Sequence, residues 1–457
     1  MTPLNIFELI VLVYFITLNG VYIGLNVLSV SGIYQYMQSN SVGVLPRIFA
    51  GFSPPVTIIT PSYNEQSTIL DTIHSLLELE YPQYEVIVVN DGSTDDTMKM
   101  LQHELLLSPF PEAYRNRLAT NAIRGIYRST RYTNIYVIDK ENGDRADAVN
   151  AGVNMAHYPL FCAVDADSTL QKDSLTRIVQ PFLEDPRTVA CGGTIRIANG
   201  CEKKEGVITR AILPSSMWAL FQVIEYLRAF LYGRMGWVPL NGLLIVSGAF
   251  GLFHKETFVS IGGYNKKALG EDMELIIRMH RLLKKRGQPY RITFVPDPVC
   301  WTKAPETFYR LMKQRIRWHI GHLQSLVWNL GLMFSKNGGV AGWVALPFSL
   351  VFEWFGPIVE LTGYVVIIWG YLAGWISFDV FLIFFMVAIG FGILLSTSAL
   401  LLEELSFHVY PRPTDIIILF LVALFENFGY RQINTVWRVM AIFKHFWMLL
   451  MQQSRYT

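Results

Sequence analysis

Apolar and polar positions divide the chain into blocks. From Leu9 to Met37 no residue carries a charge, which exceeds the ~20 residues a membrane-spanning helix needs. A cleaved signal peptide fits poorly, because there is no basic n-region, the apolar run is too long and no small-residue cleavage site follows. The pattern predicts an N-terminal transmembrane helix within residues 1–40. Over residues 53–304 short β-branched runs (Val56–Thr60, Val86–Asn90, Leu160–Val164) alternate with helical patterns such as Ser67–Leu79. That alternation predicts a soluble domain with a parallel sheet and crossover helices. Residues 305–337 read as amphipathic interfacial helices, and beyond Gly338 the chain turns apolar again. Val340–Tyr371 is one long candidate span, interrupted at Pro357 and carrying Glu353 and Glu360; Val380–Leu402 is uncharged and cleaner. Asp415–Phe446 reads equally well as one span plus an interfacial helix or as a tight hairpin. Residues 340–446 thus form a C-terminal membrane region of about three segments, followed by a tail over 447–457.

Composition agrees. The 457 residues are 52% hydrophobic and 16% charged, with mean hydropathy +0.32, whereas soluble domains carry about a quarter charged residues. Disorder, collagen and a coiled coil are excluded. A net charge of +2 gives no argument for nucleic acid, and no nucleic-acid partner is expected. Cys162, Cys191, Cys201 and Cys300 lack metal-type spacing and suit a reducing compartment. Basic residues cluster from Arg278 to Lys285 and from Arg310 to Arg317, while the first eight residues contain no Lys or Arg. The positive-inside bias then predicts a multi-pass protein of the plasma (inner) membrane with its soluble domain in the cytoplasm.

Candidate chemistry sits at strand ends. Tyr63-Asn64-Glu65 follows the first strand and Asp91-Gly92-Ser93 ends the second. Polar loops at the carboxyl ends of strands are where α/β folds bind ligands, and two such tips in order can clasp a base and its ribose. Gly143-Asp144-Arg145 opens a helix, a position that can meet a phosphate. Asp165-Ala166-Asp167 follows a third strand, and paired carboxylates there suit Mg²⁺ or Mn²⁺ with positions open for diphosphate oxygens. Gly270-Glu271-Asp272 precedes a helix beginning near Met273; its acids are either N-terminal caps or a general base. Ser247 and Gly248 are small enough for close backbone approach. Gln314 and Arg317 share a helix face beside Trp318, so an arginine can clamp a diphosphate while the indole stacks on a sugar.

In this order the motifs resemble processive family-2 glycosyltransferases, the membrane synthases of cellulose, chitin, hyaluronan and poly-N-acetylglucosamine. The resemblance spans about Pro55 to Trp318. It implies an α/β GT-A-like (Rossmann-like) cytosolic catalytic domain combined with transmembrane and interfacial helices. It implies uridine binding by Tyr63, Glu65 and Asp91, a nucleotide contact from Arg145, and nucleotide-sugar and metal binding by Asp165 and Asp167. Asp272, beside Glu271, takes the place of the catalytic base. Gln314, Arg317 and Trp318, with Ser247 and Gly248, take the acceptor and diphosphate places. Many relatives carry Lys at the position of Arg145, and the last acidic motif has Gly270 where Thr is usual. No appended cyclic-dinucleotide-binding domain is expected. The implied activity is processive, inverting extension of a β-linked polysaccharide from a UDP-sugar, UDP-N-acetylglucosamine or UDP-glucose by resemblance, with translocation across the bilayer. The partners are then the donor, the growing chain, the lipid and accessory export proteins. The alternatives are non-processive transfer to a polyprenyl phosphate and an inactive scaffold or export channel. Trp343, Trp354, Phe355, Tyr364, Trp369, Tyr371 and Trp375, with Glu353 and Glu360, fit the lining of a sugar-conducting tunnel.

Overall fold

The structure is a computed structural model that describes residues 3–41, 50–111, 113–204 and 206–453. Twelve strands are present among them: β1 (Val56–Ser62), β2 (Tyr84–Asp91), β3 (Leu107–Pro109), β4 (Ile123–Ser129), β5 (Ile135–Lys140), β6 (Leu160–Val164), β7 (Thr169–Leu170), β8 (Thr188–Ile197), β9 (Glu202–Lys204), β10 (Val207–Arg210), β11 (Phe250–His254) and β12 (Arg291–Thr302). Ten form one sheet in the order β3-β4-β5-β2-β1-β6-β11-β8-β12-β7, and β9 and β10 form a separate hairpin.

The centre of the sheet is parallel, as its β-branched runs predict: Ile58 pairs with Val86 on one side and Cys162 on the other. The sheet as a whole is mixed, with antiparallel strands added to the expected parallel core. β11 lies antiparallel between β6 and β8, and β4 and β7 are antiparallel at the two ends. A fully buried apolar strand reads the same in either direction, so periodicity does not reveal the reversal. The parallel core has the functional consequence: the carboxyl ends of β1, β2 and β6 open on the same edge.

Helices cover the sheet: α1 (Pro3–Ser41), α2 (Ile69–Leu77), α3 (Thr97–Leu105), α4 (Asp144–Met155), α5 (Ser174–Glu184), α6 (Met217–Leu227), α7 (Lys255–Ser260) and α8 (Glu271–Lys285). α1 is a long apolar helix; the others pack around the sheet. α8 buries Leu275, Ile276, Ile277 and Leu283, with acids in its first turn and Lys284 and Lys285 in its last. That distribution complements the helix dipole. It begins at Glu271, two residues earlier than expected, so both Glu271 and Asp272 lie in the first turn.

Residues 305–337 hold one helix, α9 (Phe308–Trp328), followed by a short 3-10 turn, rather than several interfacial helices. α9 packs on α8 and on the last helix of the chain. The C-terminal region comprises the helical run α10 (Ala341–Leu372), α11 (Phe378–Ser406), α12 (Pro413–Phe425) and α13 (Tyr430–Gln453). Ile16–Gln38 within α1, α10 and α11 are each long and apolar enough to cross a membrane, and α12 and α13 form a pair bent by 54°. That bent pair is the segment whose topology the sequence leaves open.

Two ion pairs, one fully and one partly buried, rivet the sheet domain to these helices. Arg196 of β8, 2% exposed, meets Glu403 of α11. Arg228, just after α6, meets Glu426 at 2.5 Å. The aromatic set divides: Trp354 is buried and stacks on His319 of α9 with ring centroids 6.0 Å apart, whereas Trp369 and Trp375 are 64% and 80% exposed on the outer surface.

Candidate active site

The first two strand tips are stitched to each other. Asn64 has the left-handed φ of 56° that asparagine tolerates. Its Oδ1 accepts from the Thr94 amide at 2.8 Å, and its own amide donates to Ser93 Oγ at 3.0 Å. The Glu65 amide donates to Thr97 Oγ1 at 3.0 Å. These bonds hold Tyr63 with its ring 48% exposed at the rim.

Asp91 is only 2% exposed. Its Oδ1 accepts from Lys140 Nζ at 2.6 Å, and both its oxygens accept from the Gly143 amide. Lys140, fully buried, also pairs with Asp147 at 2.6 Å, and Asp147 in turn takes Lys266 at 2.7 Å. Burial raises the Asp91 pKa despite the lysine. Burial also opposes ionisation of Asp147, but its bonds to Lys140 and Lys266 outweigh that and hold its carboxyl low. Asp91 therefore fixes the loop at Gly143 from behind. Gly92, at φ 70°, lies so close to Asn142 that a Cβ would sit 2.7 Å from its amide nitrogen. Lys140 carries no functional mark in the sequence beyond its place at the end of an apolar strand between Asp139 and Glu141.

The third tip and the α8 terminus converge. Arg145, in the first turn of α4, donates from Nε to Asp165 Oδ1 at 2.7 Å, from Nη1 to Glu271 Oε1 at 3.1 Å, and from Nη2 to the Gly248 carbonyl. Asp272 Oδ2 accepts from the Gly248 amide at 3.3 Å. Asp165, Arg145, Gly248, Glu271 and Asp272 thus line one cleft. Burial, then the neighbouring Asp165 and Glu65 carboxylates, push Asp167 up to about 6. Burial likewise raises Glu271; Arg145 opposes this and Asp272 adds to it.

Among the described residues no group of three or more His, Cys, Asp or Glu side chains is gathered for a metal. Asp165 and Asp167 supply two hard oxygen ligands in a partly buried place with surplus negative charge, and this donor chemistry fits Mg²⁺ or Mn²⁺ with coordination positions left for a ligand. The surplus charge has its own consequence. With a native pKa near 6 and an ordinary unfolded one, the native state binds the Asp167 proton first. The cost of ionisation is then present above pH 6 and relieved as pH falls from 6 towards 4. Asp167→Asn is expected to raise the metal-free unfolding free energy at pH 7.5 by on the order of 1 kcal/mol, with the gain vanishing near pH 4. Thermal unfolding at both pH values, in EDTA, measures it; equal gains at both would contradict the assignment.

The last motif abuts the same cleft through α9. Gly321 packs on Gly270, where a Cβ would lie 2.7 Å from the Gly270 nitrogen, and Ser325 Oγ donates to the Gly270 carbonyl at 3.2 Å. Gln314 Oε1 is buried with no hydrogen-bond partner, Arg317 is exposed, and Trp318 is 41% exposed. Arg315 is the residue that sequence reasoning missed. Its guanidinium lies 4.4 Å from the Trp318 ring centroid and donates to Glu225 Oε2 at 2.7 Å, which also accepts from Tyr430 at 2.9 Å. Trp318 is thereby propped from below.

Comparison with known proteins follows the same lines. Residues 57–255 match glycosyl transferase family 2, and residues 160–394, more than half of the chain, match glycosyl transferase family group 2. The poly-beta-1,6-N-acetyl-D-glucosamine synthase of Staphylococcus aureus (strain COL) is 28% identical over 296 residues, which cover 64% of this chain and 61% of the synthase. The synthase of the same name from Staphylococcus epidermidis is 27% identical over 267 residues, 58% of this chain and 54% of the synthase. The chain therefore spans about three fifths of the length of the first of these curated relatives. Among solved structures, the mannosyltransferase PcManGT from Pyrobaculum calidifontis, in complex with GDP-Man and Mn²⁺, superposes with a TM-score of 0.51 at 18% identity, covering 90% of this chain and 99% of that one. The shared element is the fold, a GT-A-like mixed sheet flanked by helices, and the chain belongs to family 2 of the glycosyltransferases.

Proposed function

We propose that this protein is an inverting UDP-sugar hexosyltransferase that extends a β-linked polysaccharide, with UDP-N-acetylglucosamine as donor. The observation that carries the reading is the convergence of Asp165, Glu271 and Asp272 on one cleft through Arg145 and Gly248. The names of the staphylococcal relatives support the sugar and the β-linkage, and the Mn²⁺ of the mannosyltransferase supports a divalent cation.

The chain's own residues divide the work. Tyr63 offers an exposed ring to the uracil, and Glu65 stands beside it. Asp91 shapes the pocket through Lys140 and the Gly143 loop. Asp165 and Asp167 hold Mg²⁺ or Mn²⁺, which, when bound, offsets the charge growing on the departing diphosphate. Arg317 adds a cation to the leaving-group side. Asp272 accepts the proton of the acceptor hydroxyl as that oxygen attacks the anomeric carbon opposite the diphosphate, and attack from that side inverts the configuration. Ser247 and Gly248 let the sugar approach the backbone. The unpartnered Gln314 Oε1 is an acceptor for a sugar hydroxyl, and the open face of Trp318 stacks on a ring.

The same reading places the catalytic domain on the cytoplasmic face of the plasma membrane and gives the membrane helices a task. His322 meets Ser349 at 2.8 Å, Ser349 donates to Glu353 at 2.6 Å, Arg438 donates to the Glu353 carbonyl, and Thr435 donates to Glu360 at 3.0 Å. Polar groups at membrane depth mark a pathway, and this interior stripe supports passage of a hydroxylated chain.

The test is the size of the product. Radiolabelled UDP-N-acetylglucosamine supplied to the protein in lipid vesicles is expected to give label that elutes at high mass on gel filtration and stays out of organic solvent. Lipid-extractable monosaccharide would instead indicate transfer to a polyprenyl phosphate, and no UDP release from any UDP-sugar would indicate a scaffold. Trp318→Ala is expected to shorten the chains and raise the acceptor KM roughly tenfold, as loss of a stacking contact worth about 1–1.5 kcal/mol requires, with UDP affinity unchanged in a direct titration.

A further inference from the structure

Each nitrogen of the Arg145 guanidinium already has a protein acceptor: Asp165 for Nε, Glu271 for Nη1 and the Gly248 carbonyl for Nη2. The Tyr264 ring closes the remaining face with its centroid 5.9 Å away. The pocket is shaped to this group, since a Cβ on Gly248 would come within 3.1 Å of the guanidinium carbon. One side chain therefore joins a metal-ligand candidate to the acid next to the proposed base.

We infer that Arg145 couples donor and metal binding by exchanging partners: it holds Asp165 until a diphosphate takes its place. This rests on the nucleotide-site reading above and deepens it. An arginine binds a carboxylate and a phosphate through the same planar fork, so the two anions compete for one cation. While Arg145 holds Asp165, part of the charge a divalent cation needs is neutralised and one ligand oxygen is occupied. When diphosphate oxygens draw the guanidinium away, Asp165 is freed to ligate the metal, and the metal in turn holds the diphosphate. Linkage makes the effect reciprocal: UDP strengthens metal binding by the factor by which metal strengthens UDP binding. The exchange also protects the empty enzyme, because the acids Asp165 and Glu271 are not left facing each other uncompensated. A lysine at this position has a point charge with no fork and makes a looser link between the two carboxylates.

The experiment titrates Mn²⁺ into the purified full-length protein, following free Mn²⁺ by electron paramagnetic resonance, with and without saturating UDP. Wild type is expected to bind Mn²⁺ weakly alone and at least tenfold more tightly with UDP. In Arg145→Gln, Mn²⁺ affinity without UDP is expected to rise severalfold and the enhancement by UDP to fall below threefold. Arg145→Lys, which keeps the charge and guards against a folding defect in the glutamine variant, is expected to lie between the two. If Arg145→Gln and Arg145→Lys both retain the full enhancement, with Mn²⁺ binding in the absence of UDP unchanged or weaker, the exchange is overturned while the nucleotide site stands. If wild type binds no UDP under any Mn²⁺ concentration, the nucleotide-site reading itself fails, and the exchange with it.

Discussion

Asp272→Asn is expected to lower sugar transfer by roughly 10²–10⁴-fold, the usual worth of a positioned general base, while UDP affinity in the presence of Mn²⁺ stays within about twofold. The separation follows from position. Asp272 sits in the first turn of α8, where Oδ1 accepts from the Met273 amide at 2.9 Å and Oδ2 from the Gly248 amide at 3.3 Å. An asparagine keeps the size and one acceptor oxygen, so one of the two amide bonds, to Met273 or to Gly248, is retained and the longer Gly248 contact is the one expected to be given up. What it removes is the capacity to take a proton from an incoming hydroxyl. Transfer by initial rate and UDP binding by calorimetry check the two halves separately. A variant that loses UDP binding along with transfer would place Asp272 in the nucleotide site instead.

Lys140→Met is the second large effect, and it falls on stability. Lys140 is completely buried, its ammonium held by Asp91 and Asp147 at 2.6 Å each and by the Glu141 carbonyl. Removing one partner from a buried ionic network leaves an unpaired charge and costs about 3–5 kcal/mol. Asp147 keeps Lys266 and the Asn121 amide, so the exposed debt belongs mainly to Asp91, whose remaining donor is the Gly143 amide. The expected result is a large drop in the thermal midpoint of the detergent-solubilised protein. Combining Lys140→Met with Asp91→Asn, which takes away the stranded charge, is expected to recover a good part of it. An unchanged midpoint in Lys140→Met would show that the pair contributes nothing to the fold.

These two residues also show what a linear chain discloses. The acids at the tips of β1, β2 and β6 were readable because apolar β-branched runs mark strands, and a polar residue ending such a run lies at a sheet edge; Asp272 was readable instead as an acid opening an amphipathic helix. The long apolar segments within α1, α10 and α11 were readable from composition, since only membrane or core tolerates them. Lys140 was not, because a lysine ending a strand looks solvated until the fold brings Asp147 beside it. The reversed direction of β11 was hidden, since the run from Phe250 to Phe253 has no polar side chain and carries no mark of orientation. The arm of Arg145 across to Glu271 joins residues 126 positions apart, a contact that only the folded sheet creates. The aromatics after Gly338 could not be sorted by type: Trp354 faces α9 while Trp369 faces outward, and rotation about the helix axis decides which.

Cryo-electron microscopy of the full-length protein with UDP and Mn²⁺ bears most directly on the account as a whole. The account predicts one Mn²⁺ ligated by Asp165 or Asp167 and the diphosphate, with the uracil between Tyr63 and the Gly143 loop and Asp272 open to the acceptor side. Nucleotide density away from the carboxyl ends of β1, β2 and β6, or a metal held by neither aspartate, would contradict it.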